Sequence, residues 1–142
     1  MNASDSTEKP RILFVCVENS NRSQMAEAFA RMLGGDRLEA FSAGSRPSGR
    51  VNPKAIDAMA ELGYDLSQHR SESIERLPDV SFTAVISMGC GEACPQIPAD
   101  IREDWRIPDP KALPADEFRV IRDTIREKVR DLLDRLGIKT DE

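Results

Sequence analysis

Histidine is nearly absent: His69 is the only one in 142 residues. Sites that need two histidines are therefore excluded, and so is a Ser-His-Asp triad built around a second histidine. Aromatic residues make up 5% of the chain, with one Trp and one Tyr. That is too few for an aromatic platform on which single-stranded nucleic acid stacks. Positive charge is also in deficit, with 20 Lys and Arg against 25 Asp and Glu, a net charge of −5. A nucleic-acid partner usually calls for a clustered basic face, so none is expected. No run approaches the ~20 apolar residues of a membrane span. The opening MNASDSTEK is polar and acidic, without the basic and apolar regions of a signal peptide. The expected location is the cytoplasm, with no membrane partner. Three cysteines are an odd number and close no disulfide framework. In a reducing compartment such cysteines are buried, metal-bound or reactive.

What is present is enough for one core. Hydrophobic residues are 39% and charged residues 32%, a single apolar interior under a charged surface. The length fits one domain. Residues 1–9 read as a disordered tail and 10–142 as a single domain. RILFV at 11–15 is a short apolar run suited to a buried strand. Residues 23–33 show helical spacing, stopped by Gly34 and Gly35. Further strands are expected at 38–43, 80–87 and 103–107. Asn52-Pro53 reads as an N-cap and first helical position, opening a helix that runs to Gly63. A short helix is expected over 71–77 and a long amphipathic one over 115–136. Strands alternating with helices give an α/β fold, a parallel sheet with helices on both faces.

The segment Cys16 to Ser23, CVENSNRS, joins the first strand to the first helix. A loop in that position aims consecutive backbone N–H groups at an anion, and the helix dipole favours negative charge at the same point. Val17, Glu18, Asn19, Ser20, Asn21, Arg22 and Ser23 are the candidate oxyanion-binding residues. Arg22 adds a planar fork for two oxyanion oxygens. Cys16 at the base would face the same donors, which favour a sulfur anion. The bland alternative is a small buried cysteine at a strand end with a surface arginine nearby. Arg22, Asn19 and Ser23 in one strand–loop–helix unit favour the site. A second candidate is Cys90 to Cys94, CGEAC, after the third strand. On one helical turn these positions would lie ~6 Å apart at Cα, within disulfide range. Zinc binding and two idle thiols are the competing readings, the first weak for a lone C-x3-C.

The stretch VCVENSNRSQMAEA resembles the low-molecular-weight tyrosine phosphatase superfamily, and most closely its thioredoxin-coupled arsenate reductase branch. FSAG at 41–44, VNPKA at 51–55, the two later cysteines and Asp109-Pro110 extend the resemblance over nearly the whole chain from Arg11. It implies a three-layer sandwich on a four-stranded parallel sheet. It also implies Cys16 as nucleophile, Arg22 as oxyanion clamp, Asn19 as brace, Ser23 as hydrogen-bond partner of the thiolate and Asp109 as acid. An Asp before Pro is otherwise a common turn start.

By the same resemblance, Cys16 attacks arsenate, Cys90 attacks Cys16 and releases arsenite, and Cys94 attacks Cys90. A thioredoxin-type dithiol then resets the pair; a glutaredoxin-like protein or a small thiol is the alternative reductant. The substrate would be arsenate or a phosphate-like oxyanion, the chain a monomer, and no cofactor is needed. Some relatives bind potassium, for which Asn19, Glu27, Ser42 and Glu72 are the matching positions. The resolving pair is spaced more closely than in the best-known reductases, and Asn21 stands where those often carry cysteine. His69 is expected to be a hydrogen-bonded structural residue. A phosphatase is the runner-up function, although Lys111 follows Asp109-Pro110 where phosphotyrosine enzymes usually offer an aromatic wall.

Overall fold

The computed structural model describes residues 9–89 and 97–141. Cys90 and Cys94 lie outside the described residues, as do residues 1–8 of the expected tail. Four parallel strands form one sheet in the order β2–β1–β3–β4: β1 (Arg11–Cys16), β2 (Glu39–Gly44), β3 (Phe82–Ser87) and β4 (Ala99–Asp104). β1 is central and buried from Ile12 to Cys16. A strand covered on both faces needs apolar residues in succession, not alternation, and ILFV supplies them.

Three helices, α1 (Arg22–Gly34), α2 (Pro53–Ala60) and α3 (Ala115–Arg135), pack with one face of the sheet. Ile12 and Phe14 of β1 meet Met25 and Phe29 of α1, Met59 of α2, and Ile125, Val129 and Leu132 of α3. Each such side chain contributes about 1.5–3 kcal/mol when fully buried. The opposite face carries Leu13, Val15, Ala43, Phe82 and Val85. Among the described residues it is covered by Ile74, Leu77, Val80 and Ile97, with a single 3₁₀ turn at Ile74–Arg76. The result is a layered α/β fold with a four-stranded parallel sheet, one layer built of helices and the other much thinner. The α2 cap forms as its sequence suggests: the Asn52 side chain accepts from the Lys54 N–H at 2.9 Å, with Pro53 in the first turn.

The helix expected to run to Gly63 ends at Ala60 and continues as a turn, and two elements differ further from their sequence expectation. The fourth strand spans Ala99–Asp104, not 103–107. It is the edge of the sheet, and its sequence ADIRED alternates half-buried and exposed residues. A polar edge strand hides from a search for apolar runs. Trp105, just beyond it, packs on Phe14 with ring centroids 6.0 Å apart. The helix expected over 71–77 shrinks to the turn at Ile74–Arg76, because Ser73 bridges to Gly44 and its hydroxyl caps the Glu75 N–H. Cys16 and Ser87 end neighbouring strands, so the loops after β1 and β3 leave the same edge. Parallel α/β sheets place their sites at that edge.

Candidate active site

Cys16 is the last residue of β1 and is 2% exposed. The chain then turns through Val17–Asn21 into α1. Three carbonyls of this turn face outward, because neighbouring backbone claims them. The Arg46 N–H donates to Val17 O at 2.8 Å, Ser48 N–H to Glu18 O at 3.0 Å, and Asn52 N–H to Ser20 O at 3.1 Å. The Ser71 hydroxyl also donates to Glu18 O, at 3.0 Å. Peptide planes held this way leave N–H groups free to converge on an anion. Gly44 makes the arrangement possible. A Cβ there would come within 2.6 Å of Val17 O and 3.0 Å of the Asn19 backbone nitrogen.

Asn19 braces the loop from inside. Its backbone is left-handed, φ 51°, a region Asn tolerates better than most residues. The side chain is fully buried. Nδ2 donates to Ser23 Oγ at 2.7 Å, and Oδ1 accepts from the Glu72 N–H at 2.8 Å and from Gln24 Nε2 at 2.9 Å. Ser23 Oγ lies 2.9 Å from Cys16 Sγ. Because that oxygen already accepts from Asn19, its single proton is free to point at the sulfur. A donor held there stabilises a sulfur anion.

Gln24 was not singled out in the sequence, yet it anchors the next step. Nε2 faces three acceptors, Asn19 O, Asn19 Oδ1 and Arg70 O, at 2.8–3.0 Å. That fixes which end of the amide is nitrogen. Oε1 therefore meets His69 Nδ1 at 2.9 Å, where the imidazole must donate, and His69 Nε2 is left to accept from the Tyr64 hydroxyl at 2.6 Å. Burial pushes His69 below the usual imidazole range, against the pull of the Glu27 carboxylate. A neutral imidazole with both nitrogens engaged is structural, as the sequence reading expects. Gln24 was missed because α1 is buried nearly all round, from Ser23 to Ala30. Periodicity does not separate a buried polar residue from a solvated one in such a helix.

Arg22 opens α1. Its Nη1 donates to Ile107 O at 2.9 Å, which leaves the Nε and Nη2 edge for an oxyanion. Asp109, two residues beyond Ile107, is exposed, and its Oδ1 accepts from the Lys111 N–H at 3.0 Å. Lys111 Nζ reaches both Glu18 carboxylate oxygens at 3.4 Å, and Lys54 Nζ holds the carbonyls of Lys111 and Leu113. The Asp109 segment is thus tied to the oxyanion loop at Arg22 and again at Glu18. Asn21 Oδ1 is buried and has no hydrogen-bond partner among the described residues. Cys90 and Cys94, outside the described residues, have no geometry to add.

The side-chain oxygens of Asn19 and Glu27, two of the candidate potassium positions, face donors. Glu27 Oε1 accepts from the Ser42 hydroxyl at 2.5 Å and Oε2 pairs with Arg31 at 2.7 Å, while Asn19 Oδ1 is taken as described. Glu72 enters this network through its backbone. No cluster of three or more His, Cys, Asp or Glu suited to a metal occurs among the described residues. Nor is any helix there long and apolar enough to cross a membrane.

Known proteins share this frame. The low molecular weight phosphotyrosine protein phosphatase family matches residues 11–141. A glutaredoxin arsenate reductase from Synechocystis sp. is 39% identical over 130 residues, covering 89% of this chain and 98% of that protein. A solved arsenate reductase in the phosphate binding state superposes with a TM-score of 0.79 at 37% identity, covering 89% of this chain and 98% of the other. The thioredoxin-dependent arsenate reductase of Corynebacterium glutamicum superposes with a TM-score of 0.75 at 29% identity, over 93% of this chain and 64% of that one.

Proposed function

The chain belongs to the low molecular weight phosphotyrosine protein phosphatase family, in its arsenate reductase branch, and from that premise we propose that it reduces arsenate to arsenite in the cytoplasm, as a monomer. The observation that carries the reading is the nucleophile's setting. Cys16 Sγ sits at the foot of a loop whose carbonyls are turned away, 2.9 Å from a serine hydroxyl that is free to donate to it.

The thiolate of Cys16 attacks arsenic, and one oxygen leaves as water after accepting protons, with Asp109 as the donor. The adduct still holds As(V). The backbone N–H groups of residues 17–23 and the Nε/Nη2 edge of Arg22 meet the oxyanion charge as it shifts. Cys90 then attacks Cys16 sulfur. The sulfur–arsenic bond breaks, its electron pair stays on arsenic, and arsenite leaves as a Cys16–Cys90 disulfide forms. Cys94 attacks Cys90, which passes the disulfide to 90–94 and frees Cys16. A thioredoxin-type dithiol reduces that pair and is itself oxidised. The name of the Synechocystis relative favours glutaredoxin as the second candidate reductant. No resident cofactor takes part.

Phosphoryl transfer would use Cys16, Arg22 and Asp109 alone, so the later cysteines separate the two activities. Cys94→Ser should release one equivalent of arsenite per enzyme, then stall with Cys16 and Cys90 joined. Its steady turnover with thioredoxin or glutaredoxin should collapse, while any aryl phosphate hydrolysis by the reduced protein persists at the parent level. Cys16→Ser, as control, should form no arsenite. Parent-level turnover in Cys94→Ser would sink the relay. Aryl phosphate hydrolysis with no arsenite formation in the parent would make the protein a phosphatase.

A further inference from the structure

Among the described residues, two backbone segments flank Arg22, and one of them holds it by a hydrogen bond. Ile107 O accepts from Nη1 at 2.9 Å. On another side lies Gly89, which precedes Cys90 in the chain. Gly89 has φ 77°, and its N–H donates to Asp104 Oδ1 at 3.3 Å, an oxygen that also accepts from the Ser87 hydroxyl at 2.9 Å. The end of β3 is therefore pinned to the end of β4. A Cβ built on Gly89 would sit 2.9 Å from Arg22 Nη1, 3.9 Å from Ile107 O and 4.0 Å from Arg22 Cζ. Only the arginine is too close.

We propose that Gly89 is a positioning residue for oxyanion binding: its bare Cα lets the Arg22 guanidinium lie between Ile107 and Gly89 itself, with its Nε and Nη2 edge turned to the anion. The proposal rests on the reading of Arg22 as the oxyanion clamp. The contact decides where a substitution is felt. The atom in the way is the tip of a flexible side chain, whereas Gly89 itself is exposed and pinned through its own N–H. A methyl group would be accommodated by the guanidinium moving off Ile107 O. Affinity for the anion, not the fold, takes the loss. The same geometry gives a reason for glycine at this position beyond the positive φ, since Asn accepts that backbone but also carries a Cβ.

The difference between Ala and Asn supplies the test. Inorganic phosphate is titrated into the reduced, full-length protein and into Gly89→Ala and Gly89→Asn. Thermal melting and near-ultraviolet circular dichroism are recorded for each. Both variants should melt as folded proteins and bind phosphate roughly tenfold or more weakly, the scale of a displaced charge-assisted donor pair. For aryl phosphate or arsenate, KM should rise more than kcat falls. Recovery of parent affinity in Gly89→Asn but not in Gly89→Ala would trace the effect to backbone strain and overturn the proposal. Parent affinity in both variants would overturn it too. So would loss of the near-ultraviolet signal together with affinity, which marks a structural role. Failure of the parent to bind phosphate would instead refute Arg22 as the clamp, and failure to form arsenite with phosphate binding intact would touch only the proposed reaction.

Discussion

The loop after β1 and the segment after β4 leave the same edge of the sheet and are built in opposite ways. Between Cys16 and Ser23, most polar side chains are buried and the bracing ones are tied to several partners. Asn19 and Ser23 are fully buried, as is Gln24 beyond them, and Asn19 alone makes three side-chain hydrogen bonds. The segment carrying Asp109 is held at its flanks, by Arg22 on Ile107 O and by Lys54 on the carbonyls of Lys111 and Leu113. The carboxylate itself stays in water. The contrast fits the role proposed for each part. Donors that meet a shifting charge act best when fixed beforehand, since reorganising them during the reaction raises the barrier. The exposed Asp109 carboxyl can exchange its proton with solvent between turnovers, as the proposed acid must. A fixed cradle beside a solvated acid predicts unequal sensitivity to mutation.

Arg22→Lys should give the largest effect. Lysine keeps the charge but loses the planar fork, and with it the division of labour between Ile107 O and the anion. Arsenate kcat/KM is expected to fall by about 10² or more, the scale of a removed preorganised donor. Initial rates at sub-saturating arsenate measure it. A loss below about threefold would mean that the backbone N–H groups suffice, and the cradle would be less dependent on side chains than its wiring implies.

Asn19→Ala comes next and reads the bracing. It leaves the Glu72 N–H without its acceptor, removes the donor that faces the Ser23 oxygen, and places alanine at φ 51°, while Gln24 keeps Asn19 O and Arg70 O. The unpaired N–H costs about 1–3 kcal/mol and the left-handed backbone about 1 kcal/mol or more, so a net loss of about 3 kcal/mol is expected from urea unfolding. Activity should drop roughly tenfold, because Ser23 loses the partner that directs its proton at sulfur. A variant that keeps parent stability would show the loop to be held from outside alone, by the 46–52 backbone.

These polar layers set the limit of what the sequence discloses. The buried strand RILFV, the Asn52-Pro53 cap and the long amphipathic α3 are written in local chemistry and are found where that chemistry puts them. The edge strand β4 is written in pairing: Ala99–Asp104 is a strand because β3 lies beside it. The site divides in the same way. Cys16 and Arg22 could be picked out as candidates, for nucleophile and clamp, because strand, loop and helix follow one another without interruption. Gln24, Gly44 and Gly89 could not, since each matters through a neighbour distant in sequence: Arg70 and His69, the loop at 17–19, and Arg22. Asp109 stands apart. Its Asp-Pro turn chemistry is common, and only likeness to the family gives it a role.

Lys111→Ala is the smallest expected effect and the sharpest probe of the solvated side. Lys111 Nζ lies 3.4 Å from both Glu18 oxygens, with the lysine side chain 59% and the glutamate 43% exposed. A pair so hydrated contributes about 0–1 kcal/mol. Removing it leaves the segment anchored by its backbone, because Lys54 still holds Lys111 O and Leu113 O and Asp109 still caps the residue 111 N–H. Stability should change by less than about 0.5 kcal/mol. Arsenate kcat/KM should fall less than about threefold at low salt, and the difference should vanish near roughly 0.5 M sodium chloride, where exposed charges are screened beyond a few ångströms. A tenfold loss that persists in high salt would place Lys111 on the substrate rather than on Glu18. The Asp109 segment would then be as tightly committed to the anion as the loop after β1, and the two sides of the site would no longer differ in kind.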